Sequence, residues 1–332
     1  MMLRREFITL LGGAAAAAWP LAARGQQAQQ MRRVGVLMGY AEKDPEAQAE
    51  IEAFREGLQR LGWTEGRNVV IDVRWASGDV ASMQRLAKEL MGLQPDVLLA
   101  ATTPAVNAAL HETHAVPIVF TEVTDPVAQG LVASLDRPGG NITGITIFEP
   151  EIGGRWLQVL KEIAPATART AVIFNPDSAP YHRLYMRSIE VAAAALGMEA
   201  SEAPVHSRTE IETAITMVAR EPGGSVIAMS DLFPIAHRDL IIALTARYHL
   251  PAVYPIRAFV TDGGLISYGV DLADMQRRSA TLVDRILRGA KPADLPIELP
   301  TKYALVINQT TAKALGLDIP LTLLTRADEV IE

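Results

Sequence analysis

Compact apolar runs alternate with amphipathic stretches along almost the whole chain. Residues 34–38 form a short continuous apolar run, the pattern of a strand buried on both faces. Ala47, Ile51, Phe54, Leu58 and Leu61 follow at steps of 4, 3, 4 and 3, one stripe of a helix stopped by Gly62. Residues 69–73 predict a second strand, and Val80, Met83, Leu86, Leu90 and Met91 a second helix ending at Gly92. Strands over 97–100, 118–120 and 142–148 continue the series, with a helix over 104–114. Further on, strands open near Ala171, Met198, Ser225 and Ala252, each 27 residues after the last. Helices over 181–196, 209–220 and 235–248 lie between them, the middle one opened by the capping-box pattern Ser207 to Glu210. A strand over 265–268, a long helix over 272–287, a proline-rich stretch, a strand over 303–307 and a helix near 310–315 close the chain.

Alternation of this kind implies parallel, doubly wound α/β sheets, and two serial sets of strands imply two such domains. The halves also correspond in detail. Leu98 to Pro104 and Val226 to Pro234 each read as strand, polar turn and a proline near a helix start. Each helix then leads to an X-Pro entry into the next strand, at Pro117 and Pro251. Ligands bind such sheets at the carboxyl ends of their strands, so facing ends would form a cleft between two lobes.

The first 25 residues break the pattern. Arg4 and Arg5 precede an apolar stretch of 12 residues from Phe7 to Ala18, then Trp19-Pro20 and the small-residue exit Ala23-Arg24-Gly25. That is the layout of a secretory signal, too short for a spanning helix of about 20 residues. Arg4-Arg5-Glu6-Phe7-Ile8 also resembles a twin-arginine export signal, although Leu3 and Thr9 depart from its usual pattern. The expected product is cleaved near Gly25 and free in the periplasm.

Composition narrows the function. The 332 residues are 49% hydrophobic and 21% charged, which excludes a disordered chain. There is no cysteine, so disulfides, thiolate metal sites, cysteine nucleophiles and a lipid-anchor cysteine are excluded. The formal charge of −7 argues against nucleic acid as a partner and deepens to −9 once the signal is removed. No Gly-x-Ser-x-Gly elbow, His-Glu-x-x-His or Walker loop is present. The turn 39–45 lacks the glycine triplet that a dinucleotide pyrophosphate requires. His111 and His114 share a helix face without acidic neighbours suited to a metal. Neither a cofactor nor a metal is expected, and the chain does not read as an enzyme.

Several longer stretches resemble the ABC-transporter substrate-binding proteins, in the family that includes tryptophan- and tyrosine-binding members. They are residues 5–13, Asp125-Pro126-Val127, residues 137–144, residues 264–269, residues 311–317 and residues 326–332. The resemblance implies a type I periplasmic-binding-protein fold: two Rossmann-like lobes with parallel sheets, joined by a multi-strand hinge. It implies an N-terminal lobe of 31–148 plus 269–297 and a C-terminal lobe of 149–268 plus 298–332. Hinge crossings would fall near 148–154, 268–271 and 296–301, where glycines beside the first two are compatible with backbone rotation. It further implies a small-molecule ligand, best matched by an aromatic or apolar amino acid or related carboxylate. Its partner would be an inner-membrane permease with a separate ATPase subunit, and the receptor itself a monomer. The alternative is an exported ligand-sensing or enzymatic protein on the same fold.

Candidate ligand contacts sit at strand ends. Gly39 and Tyr40 follow the first strand, as backbone approach and ring wall or as a surface loop. Thr102 and Thr103 offer hydroxyls and a helix N-terminus to a carboxylate, or Thr103 merely caps its helix. Asp125 either accepts a ligand ammonium or forms an Asp-Pro turn. Asn175 is a ligand amide or a turn residue, and Asp231 a second-lobe anchor or a helix cap. Tyr254 and Tyr268 stack on the ligand or edge the core, and Phe148 covers the pocket or packs the hinge. Arg257 reads better as a structural ion pair than as a carboxylate partner.

Overall fold

The computed structural model describes residues 31–147 and 149–332. The expected export segment, 1–25, and Phe148 lie outside the described residues. The first sheet has the order β2-β1-β3-β4-β5. It is built from β1 (Arg32–Met38), β2 (Val69–Trp75), β3 (Val97–Ala101), β4 (Ile118–Val123) and β5 (Ile142–Thr146). All neighbours run parallel, with registers such as Val34 opposite Ile71 and Val97. β3, β4 and β5 are buried at every position, as their near-continuous apolar runs require. The fifth strand stops at Thr146, short of the 142–148 expected from its apolar pattern.

Helix α1 (Pro45–Arg60) starts at Asp44, whose carboxylate accepts the amides of Glu46 at 3.0 Å and Ala47 at 3.4 Å, with Pro45 at the first helical position. Helices α2 (Val80–Gly92) and α3 (Thr103–Glu112) complete the crossovers of this half.

The second sheet has the order β12-β11-β10-β9-β8-β6-β7. The chain enters it through α4 (Ile152–Ile163), β6 (Arg169–Phe174), α5 (His182–Leu196), β7 (Glu199–Pro204) and α6 (Arg208–Ala219). It continues through β8 (Val226–Ala228), α7 (Leu232–Ala236), α8 (Arg238–Arg247), β9 (Ala252–Tyr254), α9 (Arg257–Thr261) and β10 (Ile266–Val270). The helix expected over 235–248 is thus two helices, broken at His237. Helix α4 has no counterpart among the expected elements.

After β10 the chain returns to the first lobe as α10 (Leu272–Leu287), which packs on α1. The approach is close: a Cβ on Gly57 would lie 2.7 Å from both the Ala280 Cβ and the Arg277 carbonyl oxygen. Glu298 then bridges β5, donating to the Gly144 carbonyl and accepting from the Thr146 amide. The chain crosses again to finish the second sheet with β11 (Tyr303–Asn308), α11 (Gln309–Ala314), α12 (Leu321–Arg326) and β12 (Glu329–Ile331). Because it re-enters beside the carboxyl end of β10, with Tyr303 opposite Val270, β11 pairs antiparallel with β10, where parallel sheets were expected. Three segments therefore link the lobes: 147–151, 270–272 and 299–302.

The glycines at these links are positions of close packing. Gly153, Gly154 and Gly269 are absent from the positive-φ residues. A Cβ on Gly153 would meet Ser188 Oγ at 2.6 Å, so Gly153 lets α4 pack on α5. A Cβ on Gly269 would lie 1.7 Å from the Pro255 carbonyl oxygen. Both are close-approach glycines.

Candidate functional site: the cleft between the lobes

The carboxyl ends of β1, β3 and β4 face those of β6 and β8 across a narrow seam. Two small cavities lie in it, about 30 and 20 Å³, each large enough for only about one or two waters. Ile147 and Ser230 border both. Of the larger surface grooves, one of about 590 Å³ between α4 and α5 is confined to the second lobe, and one of about 480 Å³ runs between the lobes, bordered by Glu46 and Ala49 of α1 and by Ile256, Arg257 and Glu329 of the second lobe.

The first cavity is polar. Tyr40, Thr102, Thr103 and Glu122 line it from one lobe, and Ser178, Tyr181 and Asp231 from the other. Thr102 takes φ +89°, a strained conformation for a β-branched residue, at the N-cap of α3. Its hydroxyl does not cap that helix, and neither does the hydroxyl of Thr103; both oxygens are buried without a partner. They stand with the free amides at the start of a ten-residue helix, an arrangement suited to an anion. Gly39 explains how Thr102 fits, since a Cβ there would lie 2.7 Å from Thr102 Oγ1.

Glu122 is strained as well, at φ +58°, where the β4–β5 register shifts. Its carboxylate accepts from the Tyr40 hydroxyl and, at 3.3 Å, from Gln276 Nε2 on α10. Glu50 on α1 adjoins it, and Gln276 Nε2 also donates to Glu50 at 3.3 Å and to Thr121 Oγ1 at 3.0 Å. Burial, then the charge of Glu122, pushes the Glu50 carboxyl well above its ordinary value, and burial raises Glu122 too. Two buried carboxyls in contact titrate as a pair, and their burial favours one proton held between them.

The sign of the resulting stability effect follows. The native state holds a proton in the Glu50–Glu122 pair that the unfolded chain has lost at neutral pH, so stability falls as pH rises above the ordinary glutamate range. Glu50→Gln keeps the donor without needing the proton. It is expected to raise the melting temperature at pH 7.5, the gain shrinking by up to about 1.4 kcal/mol per pH unit toward the ordinary glutamate value. Melting curves of both proteins between pH 5 and 8 check this; a pH-independent difference contradicts the proton assignment.

Across the seam, Asp231 accepts from the Asn175 amide at 2.6 Å, Ser178 Oγ at 2.5 Å and the Phe233 amide at 3.2 Å. It is both cleft lining and cap of α7. Burial raises its carboxyl to about 6, against the lowering effect of those three donors. Tyr181 donates to the Ser230 carbonyl at 2.9 Å. Among the described residues, no lysine or arginine lines either cavity.

The second cavity is apolar, walled by Ile152, Trp156, Tyr185, Ile256, Val270 and Leu272. Trp156 and Tyr185 stack at 5.5 Å and 26°. Trp156 Nε1 donates to the Tyr268 carbonyl at 2.7 Å, and Tyr185 OH lies 3.5 Å from Thr124 Oγ1 of the other lobe. The two cavities together bring unpartnered hydroxyls, acidic side chains and an apolar wall to one seam.

Of the expected contacts, Tyr40, Thr102, Thr103 and Asp231 meet in this cleft, with Gly39 beneath Thr102. Asp125 instead folds a turn, accepting the Ala128 amide at 2.9 Å. Asn175 uses its side chain on the Asp177 amide at 2.8 Å and touches the cleft only through its backbone bond to Asp231. Tyr254 is a core residue, stacked on Phe259 at 4.5 Å with its hydroxyl on Thr245 at 3.0 Å. Tyr268 stacks on Tyr303 at 6.0 Å and serves the cleft through its carbonyl. Arg257 forms the structural ion pair, bidentate to Glu329 at 2.7 and 2.8 Å. Glu122, Trp156 and Tyr185 were not among the expected contacts. A charged residue inside the buried run of β4 was the one sequence signal that pointed to Glu122.

Residues 40–331 match the model of the family described as ABC transporter substrate binding protein. A tyrosine-binding protein of Clostridioides difficile is 26% identical over 266 residues, 80% of this chain and 76% of that protein. A conserved domain protein from Vibrio cholerae superposes with a TM-score of 0.83 at 30% identity, over 91% of this chain and 100% of that one. An ABC domain from Streptococcus pneumonia in complex with L-Trp gives a TM-score of 0.83 at 24% identity, with the same coverage of 91% and 100%. The two facing α/β lobes are those of a type I periplasmic binding protein, and the chain belongs to the ABC transporter substrate-binding protein family.

Proposed function

We propose that this chain is the periplasmic receptor of an ABC importer and that its ligand is a zwitterionic amino acid with an aromatic or large apolar side chain. One observation carries the ligand class: orphaned Thr102 and Thr103 hydroxyls at a helix N-terminus share a cavity with Glu122 and Asp231, and no basic side chain lines it. Hydroxyls and helix amides suit the ligand carboxylate, and the acidic side suits its ammonium. The Trp156–Tyr185 wall suits a ring. The tyrosine-binding relative and the L-Trp complex support the same class.

Entry requires the lobes to part, because the cavities are smaller than any amino acid; ligand contacts to both walls then favour the closed form. In this reading residues 31–148 plus 269–297 move against 149–268 plus 298–332. The closed form docks as a monomer on a permease whose separate ATPase subunit uses the ATP, and no chemistry occurs on the ligand. Residues 1–25 direct export, with twin-arginine features, and the mature protein works free in the periplasm. No described helix is long and apolar enough to cross a membrane.

A thermal-shift screen of the twenty amino acids, aromatic acids, sugars and metal ions tests the proposal. L-tryptophan or L-tyrosine is expected to raise stability by about 2.7 kcal/mol at a concentration of 100 Kd, unchanged in the recovered sample. Stabilisation by sugars or metal ions alone, or conversion of the added compound, overturns it.

A further inference from the structure

Beside the cleft, but outside both cavities, one ion pair spans the two lobes. Arg238, at the start of α8, reaches Asp44 with Nη1 at 2.6 Å from Oδ2. Both side chains are largely buried, 16% and 10% exposed, unlike most ion pairs of this protein. The partners are fixed independently of each other. Asp44 is held as the N-cap of α1 by two helix amides, and Arg238 by Asp262 of its own lobe, with Nε 2.7 Å from the carboxylate. A second, looser contact runs in parallel, from Arg257 to Glu46 at 3.8 Å on the same first turn of α1. Asp44 ends the loop that carries Tyr40, and Arg238 follows the segment that carries Asp231, so the pair closes the seam next to the polar cavity.

We propose that Asp44 and Arg238 form a closure clasp that sets the open–closed equilibrium, and so the affinity, without touching the ligand. Opening separates these two groups and leaves each with its own-lobe partners. Pre-fixed side chains lose little freedom when the pair forms, and their partial burial keeps salt from screening it fully. A device that stabilises the closed form itself strengthens every ligand of that form by one common factor. Only the ligand arm of this inference rests on the receptor reading above.

The test pairs two readouts. Spin labels, one in each lobe, report the distance distribution of the ligand-free protein; calorimetry reports Kd for L-tryptophan and L-tyrosine. Asp44→Asn retains a capping side chain and removes the charge, and Arg238→Gln removes the other partner. Each variant is expected to lengthen the label distance and weaken both amino acids by the same factor, about 5–50-fold. The double variant is expected to be no weaker than either single one. Wild type in 1 M NaCl is expected to shift toward the longer distance, which tests the clasp even if a variant folds poorly. Unchanged distances in both variants and in salt, or factors that differ between the two amino acids, overturn the clasp. Failure of both amino acids to bind wild type contradicts the receptor reading instead, and the distances still decide the clasp.

Discussion

Gly269→Ala is expected to unfold the protein or to cost about 3 kcal/mol or more, among the largest effects available from adding one methyl group. Gly269 lies in β10, opposite Ala304 of β11, and borders the apolar half of the cleft. The added Cβ would lie 1.7 Å from the Pro255 carbonyl oxygen and 2.9 Å from its carbon, so backbone must move rather than a side-chain tip. Pro255 follows β9 and lines the same cavity, so the shift reaches the site as well as the sheet. Gly66→Ala is the control: it faces open space, at φ +76°, and is expected to cost only about 1 kcal/mol. Urea melts of the two variants separate close approach from backbone conformation. A Gly269→Ala protein as stable as wild type contradicts the packing described for the hinge side of the cleft.

Trp156→Ala is expected to cost about 3–5 kcal/mol of stability and to abolish ligand binding at micromolar concentrations. Trp156 is 1% exposed, stacks on Tyr185 and ties α4 to β10 through the Tyr268 carbonyl. Its removal leaves a cavity in the second lobe's core and takes away one wall of the apolar subsite. Trp156→Phe keeps a ring and loses the N–H donor, so it is expected to retain binding at a smaller cost in stability. Binding by the alanine variant at wild-type affinity would place the ligand elsewhere.

The strands were legible because parallel strands buried on both faces leave continuous apolar runs, as in β1, β3 and β4. The polar turns at Thr102 and Asp231 were legible for the complementary reason: a polar break at a strand's carboxyl end has few roles other than capping or binding. Helix α4 was hidden because Gly153 and Gly154 read as hinge freedom, whereas their purpose is contact with α5, a partner distant in sequence. Tyr254 shows the same limit from the other side, since an end-of-strand tyrosine looks identical whether its hydroxyl meets a ligand or Thr245. The Glu50–Glu122–Gln276 group joins α1, β4 and α10, and no local pattern links residues so far apart. The break at His237, where the backbone takes φ −113° and ψ 22°, is likewise not recorded in apolar periodicity.

Calorimetric titration with L-tryptophan, with its analogue lacking the amino group and with its analogue lacking the carboxyl group tests the cleft assignment most directly. The orphaned threonine hydroxyls and the buried acidic side chains predict that L-tryptophan binds tightest and that each analogue is weaker by about 100-fold or more, since each leaves one set of buried polar groups without its partner. Equal affinity for L-tryptophan and either analogue would contradict a zwitterion held between the two lobes.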